Sequence, residues 1–166
     1  REISSIVLTL LCTRLGIPQY RIVAEPGMTI PPEKESALDD DLAQLSAGRP
    51  LQYVTGRQEF CGHRFKVGEG CLIPRPETEE MVDMIIRSLD DGGCEGPFNI
   101  LDLCTGSGCI AWSLAAAFPQ AQVFACDVSD AALGIACRQR VKLYGAKPVF
   151  FKADILQAPP AGLPEF

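Results

Sequence analysis

The sequence has a single histidine, His63. Its eight cysteines (Cys12, Cys61, Cys71, Cys94, Cys104, Cys109, Cys126 and Cys137) include no C-x-x-C pair. A zinc site is therefore poorly supplied with ligands, and no metal is expected. Cations are also short: Lys+Arg is 15, Asp+Glu is 21, and the net charge is -6. Affinity for bare nucleic acid or anionic lipid needs a surplus of cations, so only a local basic patch is left open. No apolar run approaches the ~18 residues of a membrane span. The stretch from Ile3 to Cys12 lacks a basic lead-in of any length and a small-residue cleavage site, so it does not read as a signal peptide. The chain starts at Arg1 and not at Met, so both ends are expected to be cut.

What is present is a normal globular balance, 47% hydrophobic and 22% charged in 166 residues. That supports a core and excludes disorder, with room for one domain or a small domain and part of another. Several cysteines lie in apolar runs, such as Cys126 in Val-Phe-Ala-Cys, where cysteine acts as a small hydrophobe. Reduced thiols in a cytoplasmic protein are the simplest reading.

Ile3, Ile6, Val7, Leu10 and Leu11 fall on one helix face, ended by Gly16 and Pro18. Pro31 and Pro32 open a second helix, lined by Leu38, Leu42 and Leu45 and closed by Gly48 and Pro50. Residues 1–50 thus read as a helical unit. From Leu51 to Ile73 short extended pieces alternate with glycines, which predicts a hairpin linker over 51–76. Met81, Val82, Ile85, Ile86 and Leu89 then mark a helix with Glu77, Glu79 and Glu80 in its first turn.

After Gly92-Gly93 the chain alternates. Strands are predicted at 98–103, 122–126 and 148–151, and helices at 109–118 and 130–144, the second closed by Gly145. Short links between them mean parallel crossovers, so residues 77–166 read as half of an α/β doubly wound domain with strands ordered third–second–first.

The chemistry centres on Ile100-Leu-Asp-Leu-Cys-Thr-Gly-Ser-Gly-Cys-Ile-Ala111. A strand ends, a glycine-rich loop follows and a helix begins. Gly106 and Gly108 allow close backbone approach, and the helix N-terminus offers free N–H groups. Asp127, at the end of the next strand, is placed to take ribose hydroxyls, and Asp154 follows the third strand on the same edge. The bland alternative is a tight turn with two capping aspartates. Gly106-x-Gly108-x-x-Ala111 also fits the dinucleotide fingerprint. Asp102, expected at the mouth of the loop, would repel a pyrophosphate but suit the cationic S-adenosylmethionine.

Asp102-Leu-Cys-Thr-Gly-Ser-Gly108 and Ala125-Cys-Asp-Val-Ser129 resemble the first two motifs of class I methyltransferases. Joined to Arg49-Pro-Leu-Gln-Tyr-Val-Thr-Gly-Arg-Gln-Glu-Phe60 and Leu72-Ile-Pro-Arg-Pro-Glu-Thr-Glu79, they resemble the HemK/PrmC family of release-factor glutamine methyltransferases. The resemblance runs from about Arg49 to Ile155. It implies a Rossmann-like methyltransferase fold behind a substrate-binding helical domain. It implies methyl transfer from S-adenosylmethionine to the glutamine amide of the Gly-Gly-Gln motif of class I peptide-chain release factors.

By the same resemblance Thr105, Gly106, Ser107 and Gly108 hold the methionine end, Asp127 the ribose, and Asp154 lies near the adenine. Arg75, Glu77 and Thr78 close over the methionine part. The family's Asn-Pro-Pro-Tyr motif is absent from these 166 residues, and a Pro-rich loop follows Leu156 instead. The chain is therefore expected to be a fragment with no catalytic residue of its own, and inactive alone. Ile100 to Leu103 are expected to form an open sheet edge. Cys104, Cys109, Trp112 and the aromatics near Phe60 read as packing. A nucleic-acid amino-methyltransferase, an NAD-dependent oxidoreductase and a helical interaction module are the competing readings.

Overall fold

The computed structural model describes residues 2–93, 96–157 and 160–166. Cys94 and Ala158-Pro159 of the Pro-rich loop lie outside the described residues. The chain divides into two compact units, Arg1–Gly56 and Arg57–Phe166.

Among the described residues the first unit holds four helices: α1 (Glu2–Leu15), α2 (Gln19–Ala24), α3 (Pro32–Ser46) and α4 (Leu51–Thr55). Leu10, Leu38 and Val54 form its buried centre, with Leu11, Leu15, Leu45 and Leu51 packed around them. Arg14 of α1 binds Asp41 of α3 through Nε to Oδ2 and through Nη2 to Oδ1 at 2.9 Å, and Nη2 also donates to the Val54 carbonyl at 2.8 Å. One guanidinium thus ties three helices together. Pro32 sits at the first turn of α3, where its missing N–H costs nothing.

Two features differ from expectation. The short α2 has no buried residue and carried no periodic signal. Residues 51–55 are helical, not extended. Pro50, with extended dihedrals, starts the turn, and its carbonyl accepts from the Tyr53 and Val54 amides at 3.0 and 3.1 Å. Burial of Val54 in the helical core outweighs the strand preference of Tyr-Val-Thr. The extended segment begins only after Gly56.

The second unit opens with an antiparallel hairpin, β1 (Arg57–Phe60) and β2 (His63–Lys66), in which Phe60 faces His63. Its two turn residues, Cys61 and Gly62, have φ of 47° and 72°, the pattern of the tight turns that match strand twist. Phe60 and Phe65 are fully buried and meet edge-to-face with centroids 6.0 Å apart. Each contributes ~1.5–3 kcal/mol by burial.

Then follow α5 (Pro76–Asp91), β3 (Asn99–Leu103), α6 (Cys109–Ala117), β4 (Gln122–Asp127), α7 (Asp130–Ala136) and β5 (Val149–Lys152). The sheet order is β3-β4-β5 and both pairings are parallel, the α/β arrangement of a class I methyltransferase. The Val82 face of α5 packs with Trp112, Leu114 and Phe118 in the main core.

The helix expected to reach Tyr144 stops at Ala136. Tertiary contact holds this end: Trp112 Nε1 donates to the Ala136 carbonyl at 2.9 Å, and the same carbonyl accepts from the Gln139 amide at 3.3 Å to close a tight turn. From Arg138 to Tyr144, outward and inward residues alternate instead. Gly145 then lies against Pro119, where a Cβ would come within 2.3 Å of the proline carbonyl oxygen, so only glycine fits.

β3 pairs only with β4 among the described residues, so it lies at a sheet edge. The C-terminal stretch returns to this part of the sheet. Asn99 Nδ2 donates to the Glu165 carbonyl at 2.9 Å, and the Phe124 and Phe166 rings meet at 5.6 Å.

Candidate functional site

The loop between β3 and α6 is built by left-handed residues. Cys104, Gly106 and Gly108 have φ of 60°, 57° and 80°. That conformation is costly for a residue with a Cβ and free for glycine. The two glycines nevertheless do different work. A Cβ on Gly106 would meet nothing within 4 Å, so its Cα borders open space. A Cβ on Gly108 would lie 3.0 Å from Ala136 Cβ and 3.1 Å from Trp112 Cδ1. Gly106 leaves room for a ligand, whereas Gly108 lets α6 pack against the end of α7.

The loop is held from three sides. The Thr105 amide donates to the Cys126 carbonyl at 2.9 Å, extending the β3–β4 pairing. Asp127 Oδ2 accepts from the Gly106 amide, and Oδ1 from the Ser129 amide, both at 2.9 Å. Each oxygen keeps a further lone pair, so Asp127 can still receive two hydroxyl donors. The half-buried Asp127 and the open face of Gly106 therefore suit a nucleoside bearing vicinal hydroxyls.

The third support was not foreseen. Gln139 is buried, at 6% exposure. Its Oε1 accepts from the Lys66 amide at 2.8 Å, and its Nε2 donates to the carbonyls of Lys66 and Ser107 at 2.8 and 2.9 Å. One side chain thus pairs with β2 as a neighbouring strand would and clamps the glycine loop. Residue 139 lay inside a segment expected to be helical, where a glutamine carries no such signal.

Asp102 corrects its expected position. It is not at the mouth but buried behind the loop, at 7% exposure. Its Oδ2 accepts from Thr105 Oγ1 at 2.6 Å and from the Ala111 amide at 3.2 Å. Burial pushes its pKa up, opposed by those two hydrogen bonds and aided by the charge of Asp127. Asp102 braces loop and helix together from within.

Thr105 and Ser107 are buried in the loop. Ser107 Oγ has no hydrogen-bonded nitrogen or oxygen partner and neighbours the Cys109 thiol. Asp154 follows β5, and its carboxylate closes a turn by accepting from the Leu156 amide at 3.0 Å and from Gln157 Nε2 at 3.2 Å. Arg75 and Glu77 are exposed and Thr78 is half-buried at the start of α5. Among the described residues, no hydrogen bond joins those three side chains to the glycine loop. The structure thus gathers Asp102, Thr105, Gly106, Ser107, Gly108 and Asp127 at one place, with Asp154 one strand further along the same edge.

The described cysteines are free thiols. Burial pushes Cys109 up to about 11 and raises Cys61 and Cys126 as well, so these three stay protonated and apolar. Among the described residues, no cluster of three or more His, Cys, Asp or Glu side chains is arranged to hold a metal ion. No described helix is long and apolar enough to cross a membrane.

Comparison with known proteins matches both compact units. The family model for the PrmC N-terminal domain matches residues 6–56, and a methyltransferase-domain model matches residues 100–164. The release factor glutamine methyltransferase of Bacteroides thetaiotaomicron is 36% identical over 157 residues, covering 95% of this chain and 54% of the relative. That of Enterococcus faecalis is 43% identical over 128 residues, covering 77% and 44%. The chain is thus similar to release factor glutamine methyltransferases over most of its length, and its first 56 residues match their PrmC N-terminal domain. It spans about half the length of the curated relatives it matches. The first family model ends at Gly56, where the first compact unit also ends. The crystal structure of magnesium protoporphyrin IX methyltransferase from Synechocystis PCC 6803 with bound SAH is also similar. It is 31% identical, with a TM-score of 0.40, over 48% of this chain and 36% of that one.

Proposed function

We propose that this chain is of the HemK/PrmC family and that its glycine loop binds S-adenosylmethionine, for methylation of the glutamine amide in the Gly-Gly-Gln motif of class I release factors. The observation that carries the cofactor reading is the pairing of Asp127 with Gly106, a carboxylate fixed at the rim of an open backbone site. The protein substrate rests on the family relationship.

Asp127 takes the ribose hydroxyls, and the loop from Thr105 to Gly108 holds the methionine part. Asp154 lines the adenine side. Arg75, Glu77 and Thr78 close over the methionine part. When bound, the cofactor supplies a methyl group made electrophilic by the positive sulfur. The acceptor amide nitrogen is a weak nucleophile, so the protein must act by alignment within ~3–3.5 Å and by exclusion of water. The Asn-Pro-Pro-Tyr motif that the family uses for that alignment is not among these 166 residues. The helical unit of residues 1–50 receives the release factor. The reaction belongs in the cytoplasm, with translation termination.

Gly108 weighs against a dinucleotide. In the dinucleotide fingerprint the second glycine lets the backbone approach a pyrophosphate. Here a Cβ on Gly108 would meet Ala136 and Trp112, so the packing of α6 on α7 accounts for this glycine without a pyrophosphate.

The test has two arms. Calorimetric titration of the chain with S-adenosylmethionine and with NAD should show binding of the first only. Labelled methyl transfer to a class I release factor should need the chain continued through the region that its relatives possess. Transfer by the 166-residue chain alone would place the amide site among these residues.

A further inference from the structure

The unwound segment after α7 forms one wall of an open cavity of about 690 Å³, apart from the candidate cofactor loop's open face at Gly106. Lys66, Arg138, Arg140, Lys142 and Lys147 line it, with the buried Trp112, and no acidic side chain does. No ion pair among the described residues involves any of the five cations. On a chain of net charge -6, such a concentration of unpaired positive charge makes a local field opposite in sign to the molecule's own.

The arrangement is linear. Arg138, Arg140, Lys142 and Tyr144 are exposed, while Gln139 is buried and Val141 and Leu143 pack against the core. Beyond the turn at Arg138, this alternation carries Arg140 and Lys142 on the exposed side of the segment. At the end of the row Tyr144 is 77% exposed, with Lys142 Nζ 5.1 Å from its ring centroid. A row of cations ending in an open aromatic ring suits a strand that repeats charge and offers flat faces for stacking. A single small anion would use neither the row nor the ring.

We infer that this cleft binds single-stranded nucleic acid, through phosphates on the row from Arg138 to Lys142 and a base stacked on Tyr144. This assigns a backbone contact and not a methylated base, and it does not depend on the cofactor reading.

The test is fluorescence anisotropy of the chain with a labelled oligouridylate of about ten nucleotides, the site size of a small single-strand groove, over a salt series. Neutralising three to five phosphates should give a log–log salt slope of about -2 to -3.5. The triple variant Arg138→Gln, Arg140→Gln, Lys142→Gln should reduce the slope by about 2 and weaken binding at least tenfold. Tyr144→Ala should weaken binding about fivefold or more with the slope unchanged, because stacking releases no counterions. These side chains are exposed, so circular dichroism and unfolding midpoints should match wild type. Absence of saturable binding at low salt overturns the proposal. Equal affinity for an oligoglutamate of the same length would mean an acidic protein partner instead, and equal affinity for tripolyphosphate a free polyphosphate. Salt slope and competitor ranking are read on wild-type chain, so the proposal stays falsifiable even if a variant misfolds.

Discussion

The side-chain amide of Gln139 donates to the main-chain carbonyl of Ser107 at 2.9 Å, across 32 positions of sequence. The same amide holds both main-chain polar groups of Lys66. The hairpin and the glycine loop are therefore one mechanical unit. Gln139→Leu would leave three buried or half-buried main-chain groups unpaired. It should destabilise the second unit by ~1–3 kcal/mol. Urea unfolding followed by Trp112 fluorescence measures this, and an unchanged midpoint would mean that water replaces the amide.

The two loop glycines should separate binding from folding. Gly106→Ala adds a methyl into open space at φ 57°, so its folding cost is only the left-handed strain, ~1–2 kcal/mol. Cofactor affinity should fall further, because the methyl occupies the ligand side. Gly108→Ala drives a Cβ to 3.0 Å from Ala136 and should cost more in stability than Gly106→Ala. Thermal unfolding and calorimetric titration of both variants distinguish the roles, and equal stability loss in the two would refute the division.

Asp102 makes stability depend on pH with a defined sign. Its pKa is raised by burial above the ordinary 3.8, so the folded state holds this proton more tightly than the unfolded state does. The resulting stabilisation is complete below about pH 4 and is lost as pH rises through the raised pKa. Asp102→Asn keeps an acceptor for Thr105 and Ala111 without the charge. Its stability relative to wild type should therefore increase as pH rises above about 4. Urea midpoints over that range check this, and a constant difference between the two proteins would contradict it.

In the helical unit, Asp41 is 4% exposed and Arg14 leans on it from α1. Asp41→Ala should loosen α1, α3 and α4 together by ~1–3 kcal/mol. Hydrogen exchange should quicken in residues 2–56 and stay unchanged in the sheet.

The legible parts of this chain were those coded by near neighbours. Glycines at 106 and 108, the acid at 127 and short apolar runs marked the strand–loop–helix turn and its parallel partner, because each signal lies within one element. What was not legible came from contacts distant in sequence. The end of α7 is held by the indole of Trp112, 24 positions before the carbonyl it reaches. Gly145 is explained only by Pro119. The inward turn of Asp102 depends on the Ala111 amide in the following helix. Leu51–Thr55 became a helix because Val54 is needed in the first unit's core. A strand-like composition could not reveal that.

The most direct test of the central claim is calorimetric titration of the 166-residue chain and its Asp127→Asn variant with S-adenosylmethionine. The site described here predicts saturable binding to wild type, weaker by ~1–3 kcal/mol in the variant, as expected for loss of charge-assisted hydrogen bonds to hydroxyls. Equal affinity in the two proteins, or binding of NAD in place of S-adenosylmethionine, would contradict it.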